Sequence, residues 1–253
     1  MRHKTPRYLF VVSVVVFGMV FLFLLINGNL GREFAGLQRL VNRLYYASSL
    51  YFPNFSFFEP VFKIAVPFHR QEHALSCEIA SLAMALEFYK VPVSESDLIS
   101  KLAVSTTSPR MLGGNVWGDP EQGFVGNIDG VMPNTGYGVY EQPVGAVARQ
   151  YRTAKAVKNA SLKDVLDEVS NNRPVIVWGY VASGRDISWS TPQGEEVKAV
   201  YGEHARVITG FSGTSSEPKE IFLMDPVYGQ IHFTAKQFLK NWAALDNRAV
   251  IVY

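Results

Sequence analysis

The sequence predicts an α+β fold in which a helical lobe meets an antiparallel sheet at a cleft, preceded by one N-terminal transmembrane helix. Two observations predict the folded part: it begins with capped helical signals, which lie between about residues 77 and 170 on either side of a long loop region, and it ends with strand signals from 174 onward. A third predicts the helix before it. Tyr8 to Ile26 reads "YLFVVSVVVFGMVFLFLLI", nineteen residues without a charge.

The first seven residues carry Arg2, Lys4 and Arg7 and are expected to form a short cytoplasmic tail (1–7). At a rise of about 1.5 Å per residue, segment 8–26 spans roughly the hydrocarbon core of a bilayer. A cleaved signal peptide is the rival, but the apolar run is longer than such peptides carry, and "NGNLGREF" follows it instead of a small-residue cleavage site. Arg32, Arg39 and Arg43 follow the span and equal in number the basic residues before it. The preceding charges lie closer, so the N terminus is expected in the cytoplasm and the bulk of the chain outside, as a single-pass protein of the cell membrane. Segment 27–60 reads as a juxtamembrane linker in which Phe34, Leu37, Leu40, Val41, Leu44 and Tyr45 recur at helical spacing. That pattern suits a helix lying on the headgroups, or equally a stalk helix packed on the following domain.

The folded domain is placed at 61–253, a length able to bury a good core in a chain that is 48% hydrophobic. Ser76 is expected to cap a helix from Cys77 to about Lys90, with Ile79, Ala80, Leu82, Ala83 and Leu86 toward the core. A second helix starts at Ser94, with Asp97 as capping-box acid, and ends near Leu102. Residues 104–138 show neither helical nor strand period and are rich in Gly and Pro, so a long loop region is expected. Within it Trp117, Phe124 and Tyr137 could form a lid or substrate-binding wall, or could pack the loop upon itself. Helices are expected again from Pro143 to about Tyr151 and from Ser161 to Ser170. The strands are "PVIVWGYV" (174–181), "HARVITGFS" (204–212), "EIFLMDPV" (220–227), "GQIHFT" (229–234) and "RAVIVY" (248–253), with a short helix at 235–242.

Net charge is +2, and the three basic residues of the tail leave the remainder at −1. Nucleic acid is therefore not an expected partner. There is a single cysteine, Cys77, so no internal disulfide can form, and a thiol exported from the cytosol is either buried or reactive. Cysteine is among the most buried residue types, which makes an inert core thiol the plainer reading. Its position at a helix start favours the thiolate, because unpaired N–H groups and the helix dipole stabilise negative charge there. Three other residues complete a set. His204 opens an apolar strand and so stands at its mouth; Asp225 ends the next strand after Ile-Phe-Leu-Met and can hold the imidazole through Nδ1–H; Gln71, six residues before Cys77, can offer an amide to an oxyanion. Nucleophile, base, orienting acid and oxyanion donor are what acyl transfer requires. Each alone has a blander reading: Asp225-Pro226 as a turn former, His204 as a hydrogen-bonded strand end. His69 and His73, near Glu72 and Cys77, are a weaker alternative as metal ligands, since zinc needs three or four ligands in tetrahedral reach and no further cluster is evident. His232 reads as a sheet-surface residue.

The order Gln71, Cys77, His204, Asp225 resembles that of the papain-like cysteine peptidases. More narrowly, "VPFHRQEHALSCEIASLAMAL", "GEHARVITGFS" and "IFLMDPVYG" resemble the bacterial peptidase family thirty-nine, which includes the peptidases that cleave bacteriocin leaders after a double glycine. The resemblance covers about residues 61–253. It implies a papain-like fold, Cys77 as nucleophile, His204 as base, Asp225 as orienting acid and Gln71 as oxyanion donor, acting on a peptide or protein substrate without metal or organic cofactor. The chain departs from the family in two respects. Ser76-Cys77-Glu78-Ile79 replaces the frequent Gly-Cys-Gly-Pro, placing an acid beside the thiol, and no transporter or nucleotide-binding segment is present. Double-glycine specificity is accordingly not implied. The expected function is a membrane-anchored cysteine peptidase; the alternatives are a catalytically silent module that binds peptide or cell wall, and an amidase or acyltransferase with the same machinery.

Overall fold

The computed structural model describes residues 61–111 and 115–253. The predicted tail, membrane anchor and juxtamembrane helix (1–60) lie outside the described residues. Among the described residues, no helix is long and apolar enough to cross a membrane. Val61–Tyr253 forms one compact unit.

The elements in chain order are β1 (Val61–Lys63), α1 (Cys77–Phe88), α2 (Glu95–Ser100), β2 (Val104–Thr106), β3 (Phe124–Gly126), β4 (Gly136–Gly138), α3 (Glu141–Ala148), β5 (Ala154–Val157), α4 (Leu162–Ser170), β6 (Val175–Tyr180), β7 (Asp186–Ser190), β8 (Glu196–Val200), β9 (Glu203–Gly213), β10 (Pro218–Asp225), β11 (Gly229–Thr234), α5 (Ala235–Ala243) and β12 (Ala249–Val252). The principal sheet runs β11-β10-β9-β6-β12-β5 and is antiparallel throughout. Strand β1 shares an edge of β9 with β6: it pairs with Gly210–Ser212, where β6 pairs with residues 203–208. At that junction Gly210 is required, because a Cβ there would collide with the Phe62 carbonyl oxygen.

The fold follows from how apolarity is distributed. Helix α1 is buried from Cys77 to Leu86 without a polar face, as befits a central helix. It packs on β9 and β6 and against α2 and α3. Strand β9 is buried along nearly all its length, so both of its faces are covered, and apart from Glu203, His204, Arg206 and the hydroxyls of Thr209 and Ser212 its sequence is apolar or glycine. Helices α2 and α4 are capped as expected, by Ser94 accepting from the Asp97 N–H and Ser161 from the Asp164 N–H. A capping box at Thr234 and Gln237 starts α5, which packs on β6, β10 and β11.

Ser76 departs from expectation: its hydroxyl does not cap α1 but exchanges hydrogen bonds with His73, accepting from the N–H at 3.2 Å and donating to the carbonyl at 3.3 Å. The 104–138 region departs further. It is built around a small sheet, β2-β3-β4, of three-residue strands too short to display a two-residue period. The hairpin β7–β8 and strand β5 are also additional to the predicted set. The hairpin carries Trp189, whose indole donates to the Gly118 carbonyl at 2.6 Å and thereby ties the hairpin to the loop region.

Candidate active site

Cys77 is the first residue of α1, and the N–H groups of that turn have no partner within the helix. The thiol is buried, 4% exposed. Sγ accepts from the Ala205 N–H at 3.4 Å and donates to Glu78 Oε2 at 3.3 Å. Burial, followed by the fields of Glu78 and Glu203, pushes the thiol up well beyond its ordinary range, against a smaller lowering by the Ala205 amide.

Alternation along β9 puts His204 and Arg206 on one side, and pairing of β10 with β9 at Met224↔Val207 brings Asp225 to them. His204 Nε2 lies 3.0 Å from Asp225 Oδ2. A carboxylate can only accept, so Nε2 carries the proton and Nδ1 holds the free lone pair. This corrects the expected Nδ1–H bond: the ring meets the acid through its other nitrogen. Burial holds the imidazole below its ordinary value, with the Asp225 bond opposing. Opposite His204 stands Gly179, where any Cβ would run into the Asn241 amide.

Asp225 is wholly buried and accepts four hydrogen bonds. Oδ2 takes His204 Nε2 and Arg206 Nε, the latter at 2.8 Å; Oδ1 takes the N–H groups of Val227 at 2.8 Å and Tyr228 at 3.1 Å. Burial alone would raise the carboxyl, but the His204 and Arg206 contacts and the turn amides together hold it well below the carboxylate range. Asp225 thus accepts from the turn amides on one oxygen and from the imidazole on the other. Arg206, which sequence reasoning passed over, is buried and also reaches the Asn241 side chain and the Tyr180 carbonyl, each at 3.4 Å. The signal was available: a cation two residues after His204 in an apolar strand shares its side.

Gln71 is held near the Asp225 turn by its N–H on the Pro226 carbonyl, 3.1 Å. Its side-chain amide donates to the carbonyls of His73 (2.8 Å) and Ala74 (3.0 Å), and its Oε1 is buried without a partner. Both amide hydrogens are thus engaged, and service to an oxyanion requires one of those bonds to open.

Gln71, Cys77 and His204 line one cavity of about 260 Å³. Tyr137 lines it too, along with Met132, Val181, Ala182, Tyr201 and Tyr228. Trp117 and Phe124, expected beside Tyr137, are not in that wall. Trp117 is 3% exposed, packs edge-on against Trp189 at 5.3 Å and borders a separate cavity; Phe124 is buried in β3. Trp189 in turn packs on Tyr137 at 5.1 Å, so the loop aromatics support the cavity wall from behind. The two histidines weighed as metal ligands turn to different carboxylates, His69 to Glu95 at 2.9 Å and His73 to Asp129 at 3.0 Å.

A family model, described as the Peptidase_C39 like family, matches residues 63–250. The chain belongs to that family. As a C39-like protein it has the uncharacterized Bacillus subtilis (strain 168) protein YvpB as a relative, 28% identical over 182 residues, covering 70% of this chain and 68% of YvpB. A solved C39-like protein from Bacillus anthracis superposes with a TM-score of 0.65 at 24% identity, covering 76% of this chain and 97% of that one, a likeness of fold. A double glycine motif protease from an AMS/PCAT transporter, solved with its leader peptide, aligns more loosely, with a TM-score of 0.41 at 18% identity over 77% of this C39-like chain and 96% of its own.

Proposed function

We propose that this protein is a cysteine peptidase in which Cys77 is the nucleophile, His204 the base and Asp225 the orienting acid. The observation that supports it best is geometric: a helix-start thiol and an imidazole fixed by a buried carboxylate line the same cavity. In the reaction, the thiol proton passes to His204 Nδ1 and the sulfur adds to the scissile carbonyl carbon. The oxyanion meets the Cys77 N–H and, once freed from a carbonyl, the Gln71 amide. The imidazolium returns its proton to the leaving amine, and a thioester remains. Water, deprotonated by Nδ1, hydrolyses the thioester and restores the thiol. Apolar Met132, Val181 and Ala182 with Tyr137, Tyr201 and Tyr228 suit an apolar substrate side chain near the scissile bond.

A second reading, a module that holds peptide without cleaving it, draws support from the resting contacts: the thiol donates to Glu78, and both Gln71 amide hydrogens are occupied. An electrophilic peptide mimic decides between them. Under the peptidase reading it labels Cys77, at about pH 6, at least tenfold faster than it labels a free cysteine peptide, on the order of what thiolate activation provides; labelling no faster than the free peptide at that pH favours the binding module. Cell-wall fragments and a peptide library, supplied as alternative substrates, separate a peptidase from an amidase or acyltransferase.

The charge-free segment 8–26 supports anchoring in the cell membrane, and the nearness of Arg2, Lys4 and Arg7 to it supports a catalytic domain outside the cytoplasm. The full-length chain is expected to stay in the membrane pellet under alkaline carbonate and to be degraded by protease added to intact cells. Release by carbonate, or protection in intact cells, would contradict the anchor or its orientation respectively.

A further inference from the structure

The catalytic steps leave two buried acids, Glu78 and Glu203, without a task. One carboxyl oxygen of each and Cys77 Sγ all lie within 4.8 Å of one another. Glu78 is 0% and Glu203 4% exposed. The backbone passes against both at Gly138, whose φ is +149° and where a Cβ would stand 2.6 Å from an oxygen of each acid. Glu78 receives the Val139 N–H on Oε1 at 2.8 Å and the Cys77 thiol on Oε2. Neither oxygen of Glu203 has a partner.

Among the described residues no cationic side chain hydrogen-bonds to either carboxyl. The arginines whose fields reach Glu203 are already paired, Arg206 with Asp225 and Arg248 with Glu141 at 2.5 Å and Glu121 at 2.7 Å. The remaining ionisable neighbours add no positive charge that holds the pair: Tyr137 and Tyr140 are phenols raised by burial, Glu95 is a further acid, and His204 is held below its ordinary value. Two negative charges this close repel strongly where Glu78 is fully buried and Glu203 is buried on the wall of the Cys77 cavity, so the pair retains at least one proton. It belongs on Glu203, because Glu78 already accepts from two donors.

We propose that Glu78 and Glu203 act as one proton-holding unit, and that a second proton on this unit reverses the Cys77–Glu78 hydrogen bond, from thiol donating to carboxylate into carboxyl donating to thiolate. With one proton, Glu78 is ionised and opposes loss of the thiol proton. With two, Glu78 donates to sulfur, and the proton that leaves sulfur rests on His204 Nδ1. Both glutamates are positioning residues for the nucleophile. The role assigned to the thiolate rests on the peptidase reading above; the shared proton does not. Burial raises Glu78 above the ordinary carboxylate range, so the reversal is sought at higher pH than a free carboxyl would place it.

The test pairs iodoacetamide alkylation of Cys77 across pH with infrared detection of protonated carboxyl groups. In the wild type, the alkylation rate is expected to fall severalfold between about pH 6 and pH 8, where a free thiol gains reactivity. Glu78→Gln, which keeps an acceptor for Val139 and a donor for sulfur, is expected to remove that fall and exceed the wild-type rate about tenfold at about pH 8. Glu203→Gln, whose amide can donate to Glu78, is expected to move the fall to lower pH and to abolish a protonated-carboxyl band that persists in the wild type at about pH 8. A wild-type rate that rises like a free thiol's, or an unchanged profile in Glu78→Gln, overturns the reversal. Absence of the persistent band, or its survival in Glu203→Gln, overturns the shared proton. A Cys77 unreactive at every pH sinks the peptidase reading and the reversal together, and the infrared band then decides the shared proton alone.

Discussion

His204→Ala is expected to lower turnover by about a thousandfold or more while leaving the fold nearly as stable as before. The activity loss follows from Nδ1 being the base in both halves of the proposed reaction, so acylation and hydrolysis of the thioester fail together. Stability survives because Asp225 keeps three of its four hydrogen bonds, from Arg206 Nε and the Val227 and Tyr228 amides. Labelling of Cys77 by the electrophilic mimic should slow in parallel with turnover. A variant that turns over within tenfold of the wild type, or labels as fast, would remove His204 from the chemistry. Thermal unfolding of the same samples checks that the loss is not one of folding.

Asp225→Ala reverses that balance and is expected to be the costliest single change to stability near the site. It leaves the Arg206 guanidinium buried without its carboxylate, a loss of about 3–5 kcal/mol, and strips two turn amides of their acceptor. Asp225→Asn keeps an acceptor for the turn and costs less, yet removes the charge that holds His204 and Arg206. The acid dependence carries a sign that can be checked. The folded carboxyl is held below its unfolded value of about 3.9. Its stabilisation is therefore complete above that pH and disappears as pH falls from there toward the depressed folded value. Both variants should lose this part of the wild type's acid sensitivity, measured as unfolding midpoints from neutral pH downward. An Asp225→Ala protein that unfolds within about 1 kcal/mol of the wild type would contradict the description of Asp225 as the anchor of this buried cluster.

The sequence made parts of this architecture legible for identifiable reasons. Ser94 and Ser161 announce their helices because capping is a local interaction within four residues. Cys77 and His204 could be placed because each lies at an abrupt change from polar to apolar sequence. What stayed hidden depends on contacts distant in sequence. Ser76 has the right identity and place for a cap, but the hydroxyl is drawn to His73. Trp117 and Phe124, set among glycines, left a substrate-binding wall and a self-packed loop equally open, and the arrival of Trp189 against Trp117 from the β7–β8 hairpin is a contact distant in sequence. The choice of Nε2 over Nδ1 depends on the ring's orientation, which no spacing in the chain encodes. Sequence sets Glu78 beside the thiol but not the direction of its carboxyl, which the Val139 N–H holds on one oxygen while the thiol donates to the other.

The hydrogen bond from Ala205 to the Cys77 sulfur joins positions 128 residues apart. Thiol and imidazole can therefore face each other only once the chain has been made as far as β9, and Asp225 joins them only with β10. Under the proposed chemistry, a nascent chain stalled before β10, or a fragment clipped between α1 and β9, is expected to be inert toward its surroundings.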